Sequence, residues 1–306
     1  MTTRDSILCF GEAMVELSLD ATHPDKAKIG FAGDTLNTAI YLKRVAPSLD
    51  VAFASKVGRD RLSDEMLSFI ALEGIDTRYI QKSPLAIPGL YAISTDPAGE
   101  RSFMYWRNAS AAREVFEPPA LPLSDLTGFG VFYYSAISLA ILSPARREEL
   151  LSWLSDYRSG GGLVAFDSNY RPALWPDRDT ARHIIAEAWR RTDIALPSLD
   201  DEWALFNDRT EQNTLARLRG YGIRAGALKR GAKGPVALDG TDCDGFAPAD
   251  KVVDSTAAGD SFNAGYLAAR IGGKDECACL RAGHALACRV IGSRGAILPR
   301  TEALPG

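Results

Sequence analysis

Apolar residues in this chain fall into short runs that alternate with longer stretches in which apolar positions recur at helical spacing. Ile7 to Glu12 reads as a buried first strand ending at Gly11, and Thr35 to Val45 reads as a helix. Val51 to Val57 restores a strand and Leu62 to Leu72 a helix. Gly130 to Ser135 is extended, Pro144 to Arg158 helical, Leu163 to Phe166 extended, Thr180 to Arg191 helical and Ile194 to Pro197 extended. A helix near Asn213 to Tyr221 follows, then strands near Ala225 to Lys229 and Pro235 to Leu238. Helices over Ala258 to Arg270 and Asp275 to Val290 close the pattern. Such alternation predicts an α/β fold with a mostly parallel sheet and helices on both faces.

Two segments break the rhythm. Residues 11–32 and 89–107 contain short β-like pieces, including Gly89 to Ser94 and Arg101 to Trp106, the latter two joined by the turn text Thr95 to Glu100. They predict a small β lid inserted into one α/β unit spanning residues 1–306. No low-complexity tract, repeat or Pro/Ser linker marks a boundary. A length of 306 residues suits one large unit with an insertion.

Composition narrows the partners. With 46% hydrophobic and 24% charged residues the chain reads as soluble and globular. No apolar run reaches bilayer-spanning length, and the stretch Ile7 to Phe10 is too short for a signal-peptide core, so a cytoplasmic protein with no membrane partner is expected. A net charge of −4 disfavours nucleic acid, although a small anion needs only a few local cations. Cys9, Cys243, Cys277, Cys279 and Cys288 are odd in number without paired C-x-x-C clusters, so reduced thiols are expected. His23, His183 and His284 are too scattered for a histidine metal site.

The candidate chemistry follows the strands, where an open parallel sheet binds ligands. Asp254-Ser255-Thr256-Ala257-Ala258-Gly259-Asp260 is a small-residue turn running into a helix, suited to bring N–H groups against an anion. Asp260 is open to two readings, a helix cap or a proton acceptor beside a phosphate. Lys229-Arg230-Gly231-Ala232-Lys233-Gly234 is a glycine loop without the P-loop pattern, either a strand-to-strand turn or a nucleotide contact through Lys229, Gly231 and Gly234. Gly30 to Asn37 opens a helix; a cap explains Gly33 and Asp34 or Thr35, but not Asn37 on an otherwise apolar face. Arg107 and Arg171, each among aromatic and amide side chains at a strand end, suggest an anionic substrate.

These residues resemble the ribokinase-like (PfkB) carbohydrate kinases over essentially the whole chain. The late signature D-T-x-G-A-G-D stands as Asp254 to Asp260, and the early signature G-G-x-x-x-N-x-A as Ala32 to Ala39. Within that family the text looks most like the kinases of 2-keto-3-deoxygluconate, through Gly33 to Thr38, Pro88 to Tyr91, Tyr105 to Asn108, Ser135 to Ser143 and Asn169 to Pro172. The resemblance implies a ribokinase-like fold and ATP-dependent phosphorylation of that sugar acid at its terminal primary hydroxyl. Fructose, ribose, 2-keto-3-deoxygalactonate or a silent sugar-binding role are the alternatives. It implies that Asp260 is the base and that Ala257, Ala258 and Gly259 form the anion hole. Gly33, Asp34, Asn37, Tyr91, Tyr105, Arg107, Asn169 and Arg171 would bind the sugar acid, and Ser198 would join the ATP contacts. Mg²⁺ would be held through water by Asp201 or Glu202, and K⁺ by Asp254 with carbonyls at 293–295. The lid offers a pairing edge for a homo-oligomer. Ala32 and Ala257 stand where the family has glycine, Ser198 to Asp201 departs from its N-x-x-E, and Pro299 replaces a hydroxyl.

Overall fold

The computed structural model describes residues 3–20, 23, 25–95 and 101–305. The turn expected at 96–100 lies outside them. The chain runs β1 (Thr3–Phe10), β2 (Met14–Leu19), β3 (Ala27–Ala32), α1 (Asp34–Val45), β4 (Asp50–Val57), α2 (Arg61–Leu72), β5 (Ile80–Lys82), β6 (Gly89–Thr95) and β7 (Arg101–Trp106). Then come β8 (Phe129–Ser135), α3 (Ala136–Ala140), α4 (Pro144–Ser159), β9 (Leu163–Asp167), α5 (Arg178–Trp189), β10 (Ile194–Ala195), α6 (Leu199–Phe206) and α7 (Glu211–Gly220). The last elements are β11 (Ala225–Leu228), β12 (Val236–Ala237), α8 (Ala258–Ile271) and α9 (Glu276–Ile291).

Eight strands form one sheet in the order β12-β11-β10-β9-β8-β1-β4-β5, parallel except where β12 turns back on β11. Side-chain alternation sends Ile7, Cys9, Val51, Phe53 and Tyr133 to a core shared with α1, α8 and α9. Leu8, Phe10, Ala52, Phe132 and Tyr134 enter a second core with α4 and α5. Both faces being covered explains why β1 reads as a continuous apolar run. The sequence order turns outward on both sides of β1, so the carboxyl ends of β1 and β8 flank a switch point, where such sheets leave a crevice.

The two irregular segments form a separate four-stranded sheet, β3-β2-β6-β7, attached to the carboxyl end of β1. β6 and β7 pair antiparallel, with Tyr91 opposite Tyr105. Two helices escape the sequence pattern. α3 and α6 are only five and eight residues long, too short for a clear period. α6 stops at Asn207, whose φ of 60° lies in the left-handed region.

One sequence expectation is corrected: Cys243 and Cys277 are disulfide-bonded, with Cα atoms 5.6 Å apart, while Cys9, Cys279 and Cys288 are free. The loop after β12 brings together two cysteines separated by 34 positions, a proximity that spacing does not encode. No described helix is long and apolar enough to cross a membrane.

Gly33 shows how tightly the smaller sheet joins the core. A Cβ there would lie 2.0 Å from the backbone oxygen of Glu12. Gly33→Ala is therefore expected to displace the start of α1 and lower the thermal midpoint by several degrees, with loss of activity; a melt matching the wild type would show that the 12–33 contact can relax.

Candidate active site

Asp260 sits in the first turn of α8, preceded by Ala257 at φ 61°. An alanine in the left-handed region carries a strain that glycine would not. The turn nonetheless forms, because Ala258 N–H donates to Ser255 O at 3.2 Å and Ser261 N–H to Ala257 O at 2.8 Å. The Ala258 amide is thus engaged within the turn. The Gly259 and Asp260 amides lie in the first turn, at the positive end of α8.

The early and late motifs meet here. Asn37 Nδ2 donates to Asp260 Oδ2 at 2.8 Å, and Thr38 Oγ1 donates to Asp260 O at 3.1 Å. This gives the unexplained Asn37 a task, holding one carboxylate oxygen in place. The Tyr133 hydroxyl lies 3.3 Å from Thr38 Oγ1 and accepts from Asn263 Nδ2 at 2.9 Å. Asn263 Nδ2 also reaches Asp167 Oδ2 at 2.8 Å, and Lys229 Nζ bridges Asp167 Oδ1 at 2.9 Å and Asn263 Oδ1 at 3.0 Å. Asp34 accepts from Asn169 Nδ2 at 2.9 Å and from Ser135 Oγ. One hydrogen-bonded floor thus joins β8, β9 and β11 to α1 and α8.

Burial and the nearby Asp34 carboxylate push Asp260 up to about 8; Asp167 adds to this, while the Asn37 hydrogen bond and Lys229 oppose it. A carboxyl raised in the fold contributes stability that is complete below its unfolded value near 4 and is lost as pH climbs through about 8. Asp260→Asn removes that titration. Its stability relative to wild type should therefore rise across this window in denaturant titrations, and a constant difference would contradict the burial argument.

The two arginines are engaged rather than free. Arg107 is buried, with an ion pair to Glu12, which is itself 1% exposed. Arg107 Nε and Glu12 Oε1 are buried without a hydrogen-bond partner among the described residues. Arg171 is half-exposed; its Nη1 donates to Tyr170 O at 2.9 Å and lies 3.5 Å from Asp201 Oδ1. Tyr91 is buried and donates to Glu16, while the exposed Tyr105 stacks on it at 5.8 Å. Burial and Glu16 push the Tyr91 phenol well up.

Asp201 and Glu202 separate clearly. Glu202 is buried against Arg217 at 2.8 Å, away from Asp260, and burial pushes it up to about 7. Asp201 faces Ser168 Oγ at 3.3 Å and feels Asp167 and Lys229; burial raises it. No cluster of three or more metal-ligating His, Cys, Asp or Glu occurs among the described residues. A lone carboxylate suits a hydrated ion held mainly by phosphates. Ser198 precedes α6, its N–H donating to Ser168 Oγ at 2.9 Å, and Gly231 and Gly234 take φ of 57° and 74° in the loop after β11. Asp254 accepts from Thr256 N–H at 3.0 Å and from Gly295 N–H at 2.6 Å, tying the turn to the 293–295 loop.

Glu12, Glu16, Thr38, Tyr133, Ser135, Asp167 and Asn263 were not singled out from the sequence. Thr38 and Ser135 lie within the motif stretches quoted above, and for the others a polar residue in an otherwise apolar element is the available signal.

The pfkB family carbohydrate kinase profile matches residues 4–303. The chain is 44% identical to 2-dehydro-3-deoxygluconokinase of Escherichia coli strain K12 over 98% of each protein. It is 42% identical to the protein of the same name from Dickeya dadantii strain 3937 over the full length of both. Among solved structures, 2-dehydro-3-deoxygluconokinase of Thermotoga maritima superposes with a TM-score of 0.83 at 19% identity, covering 97% of this chain and 95% of that one.

Proposed function

The chain belongs to the pfkB family of carbohydrate kinases, and from that premise we propose that it transfers the γ-phosphoryl group of ATP to the terminal primary hydroxyl of 2-keto-3-deoxygluconate. The Asn37–Asp260 contact carries the reading. It places the candidate base against the segment expected to bind the sugar, at a helix terminus suited to phosphate. The relatives at 38–44% identity that bear the 2-dehydro-3-deoxygluconokinase name support the choice of sugar acid.

Asp260 accepts the hydroxyl proton as the sugar oxygen forms its bond to Pγ; the bond from Pγ to the bridging oxygen breaks and ADP leaves. The first-turn amides of α8 hold charge on the transferring group. Lys229, poised between Asp167 and Asn263, reaches the phosphates, and the 231–234 loop and Ser198 line the nucleotide. Mg²⁺ neutralises phosphate charge when bound, and Asp201 is the residue placed to hold it through water. K⁺ would take Asp254 and carbonyls at 293–295. Asp34, Asn37 and Asn169 orient the sugar hydroxyls, while Arg107 and Arg171 supply positive charge towards its carboxylate. The four-stranded sheet acts as a lid on one continuous 1–306 unit, excluding water. Edge strand β7, with Tyr105 and Trp106 exposed, offers a second copy a pairing surface. The need for ATP favours a cytoplasmic location.

The test is ADP release across 2-keto-3-deoxygluconate, 2-keto-3-deoxygalactonate, gluconate, fructose and ribose. The expected kcat/KM order puts the two keto-deoxy acids first by about 10²-fold or more over neutral sugars, since only the acids carry a carboxylate that can make charge-assisted hydrogen bonds to the arginines. Preference for fructose would remove the sugar-acid assignment, and no sugar-dependent ADP release would remove the kinase.

A further inference from the structure

A cleft of about 1110 Å³ lies between α4, α5 and the turn at 172–175, and none of the candidate sugar-site residues lines it. Its wall includes Arg113, Arg147, Trp175, Leu142, Leu174 and Ile184. The Arg147 guanidinium is stacked over the Trp175 ring at 4.9 Å. Its Nε donates to Leu139 O at 2.9 Å and its Nη2 to Leu142 O at 3.1 Å. Neither Arg147 nor Arg113 has a carboxylate partner among the described residues. Burial and the neighbouring Arg113 charge both push Arg147 down, so the pair stands as uncompensated positive charge in a partly apolar setting.

Other charges at the cleft do not cancel this excess. Glu187 is held by Arg190 and Arg191, the latter at 2.6 Å. Glu148 and His183 line the cleft from exposed positions on α4 and α5. A buried arginine over an indole, a second arginine beside it and a partly apolar wall together suit a flat organic anion.

The walls are also the backs of the sugar-site segments. Arg147 grips the carbonyl end of α3, whose N-cap Ser135 bonds Asp34. The 172–175 turn follows Asn169 and Arg171, and Arg113 lies six positions beyond Arg107. We propose that this cleft is a second binding site, for a small organic carboxylate or phosphate monoester, and that its occupancy alters sugar binding through α3 and the 169–175 segment.

The probes are 2-naphthoate and 1-naphthyl phosphate, titrated calorimetrically into the full chain, with 2-naphthamide as the uncharged control. One probe per chain should bind, at least about tenfold more tightly than the amide, since charge-assisted hydrogen bonds are lost with the charge. Stronger binding of the carboxylate or of the phosphate identifies the source of the natural ligand. Arg113→Glu, on the cleft rim, and Ser152→Phe, which fills the cleft from α4, should each weaken binding about tenfold or more. Asp260→Asn should leave it intact. Undetectable binding, equal binding of the amide, or binding insensitive to both cleft variants would overturn the site. A second arm rests on the kinase reading: the bound probe should change KM for the sugar acid in wild type and not in Arg113→Glu. No change in wild type would overturn the coupling, while the calorimetry stands apart from the kinase assignment.

Discussion

Asp260→Asn is expected to lower kcat by about 10²- to 10⁴-fold while ATP still binds in the absence of sugar. The side chain keeps its size, and an amide oxygen can still accept the hydrogen bond that Asn37 Nδ2 donates to Asp260 at 2.8 Å, so the loss isolates proton acceptance from positioning. The wild-type pH profile provides a second readout. With the Asp260 carboxyl pushed up to about 8 by burial and by Asp34, the ionised base form gains population as pH rises. kcat/KM for the sugar should climb through neutral pH and level off above that value, a limb absent from the residual activity of the variant. Wild-type-like turnover in Asp260→Asn would remove the base.

The second large effect concerns Arg107. Arg107→Met is expected to cost about 3–5 kcal/mol of stability, because Glu12, 1% exposed, is left as a buried charge without its partner. Adding Glu12→Gln should recover most of that loss, since replacing both members of a buried pair is far milder than removing one. The refolded double variant then separates two roles. If Arg107 also draws the sugar carboxylate, KM for the sugar acid stays raised about tenfold or more while KM for ATP is unchanged. Recovery of both stability and KM would confine Arg107 to holding the lid against β1.

Most of the large sheet is legible because its inner strands are buried on both faces and read as apolar runs, as Ile7 to Phe10 does, whereas the short, partly buried edge strand β5 is not. The lid segments were legible as departures from that rhythm, although the partner of each strand was not. Pairing of β2 with both β3 and β6 is set by tertiary contact. Asn37 was visible as a polar residue on an apolar helix face, but its partner lies 223 positions away. Tyr133 and Asn263 stayed hidden because an aromatic in a strand and an amide in a helix are ordinary until their hydrogen bonds are seen. A guanidinium at a strand end suggests an anion, and what the sequence does not show is that Arg107 also pairs with Glu12 of the same chain, 95 positions away. The Cys243–Cys277 bond was illegible for the same reason, as loop geometry brings the pair together.

The most direct measurement is the product of a single reaction mixture of purified protein, ATP, Mg²⁺ and 2-keto-3-deoxygluconate, followed by ³¹P and ¹³C NMR. The account predicts one ADP for each sugar consumed and a phosphate monoester whose phosphorus couples to the terminal C6 carbon. A phosphate on another carbon, or ADP formed without a phosphorylated sugar, would contradict it.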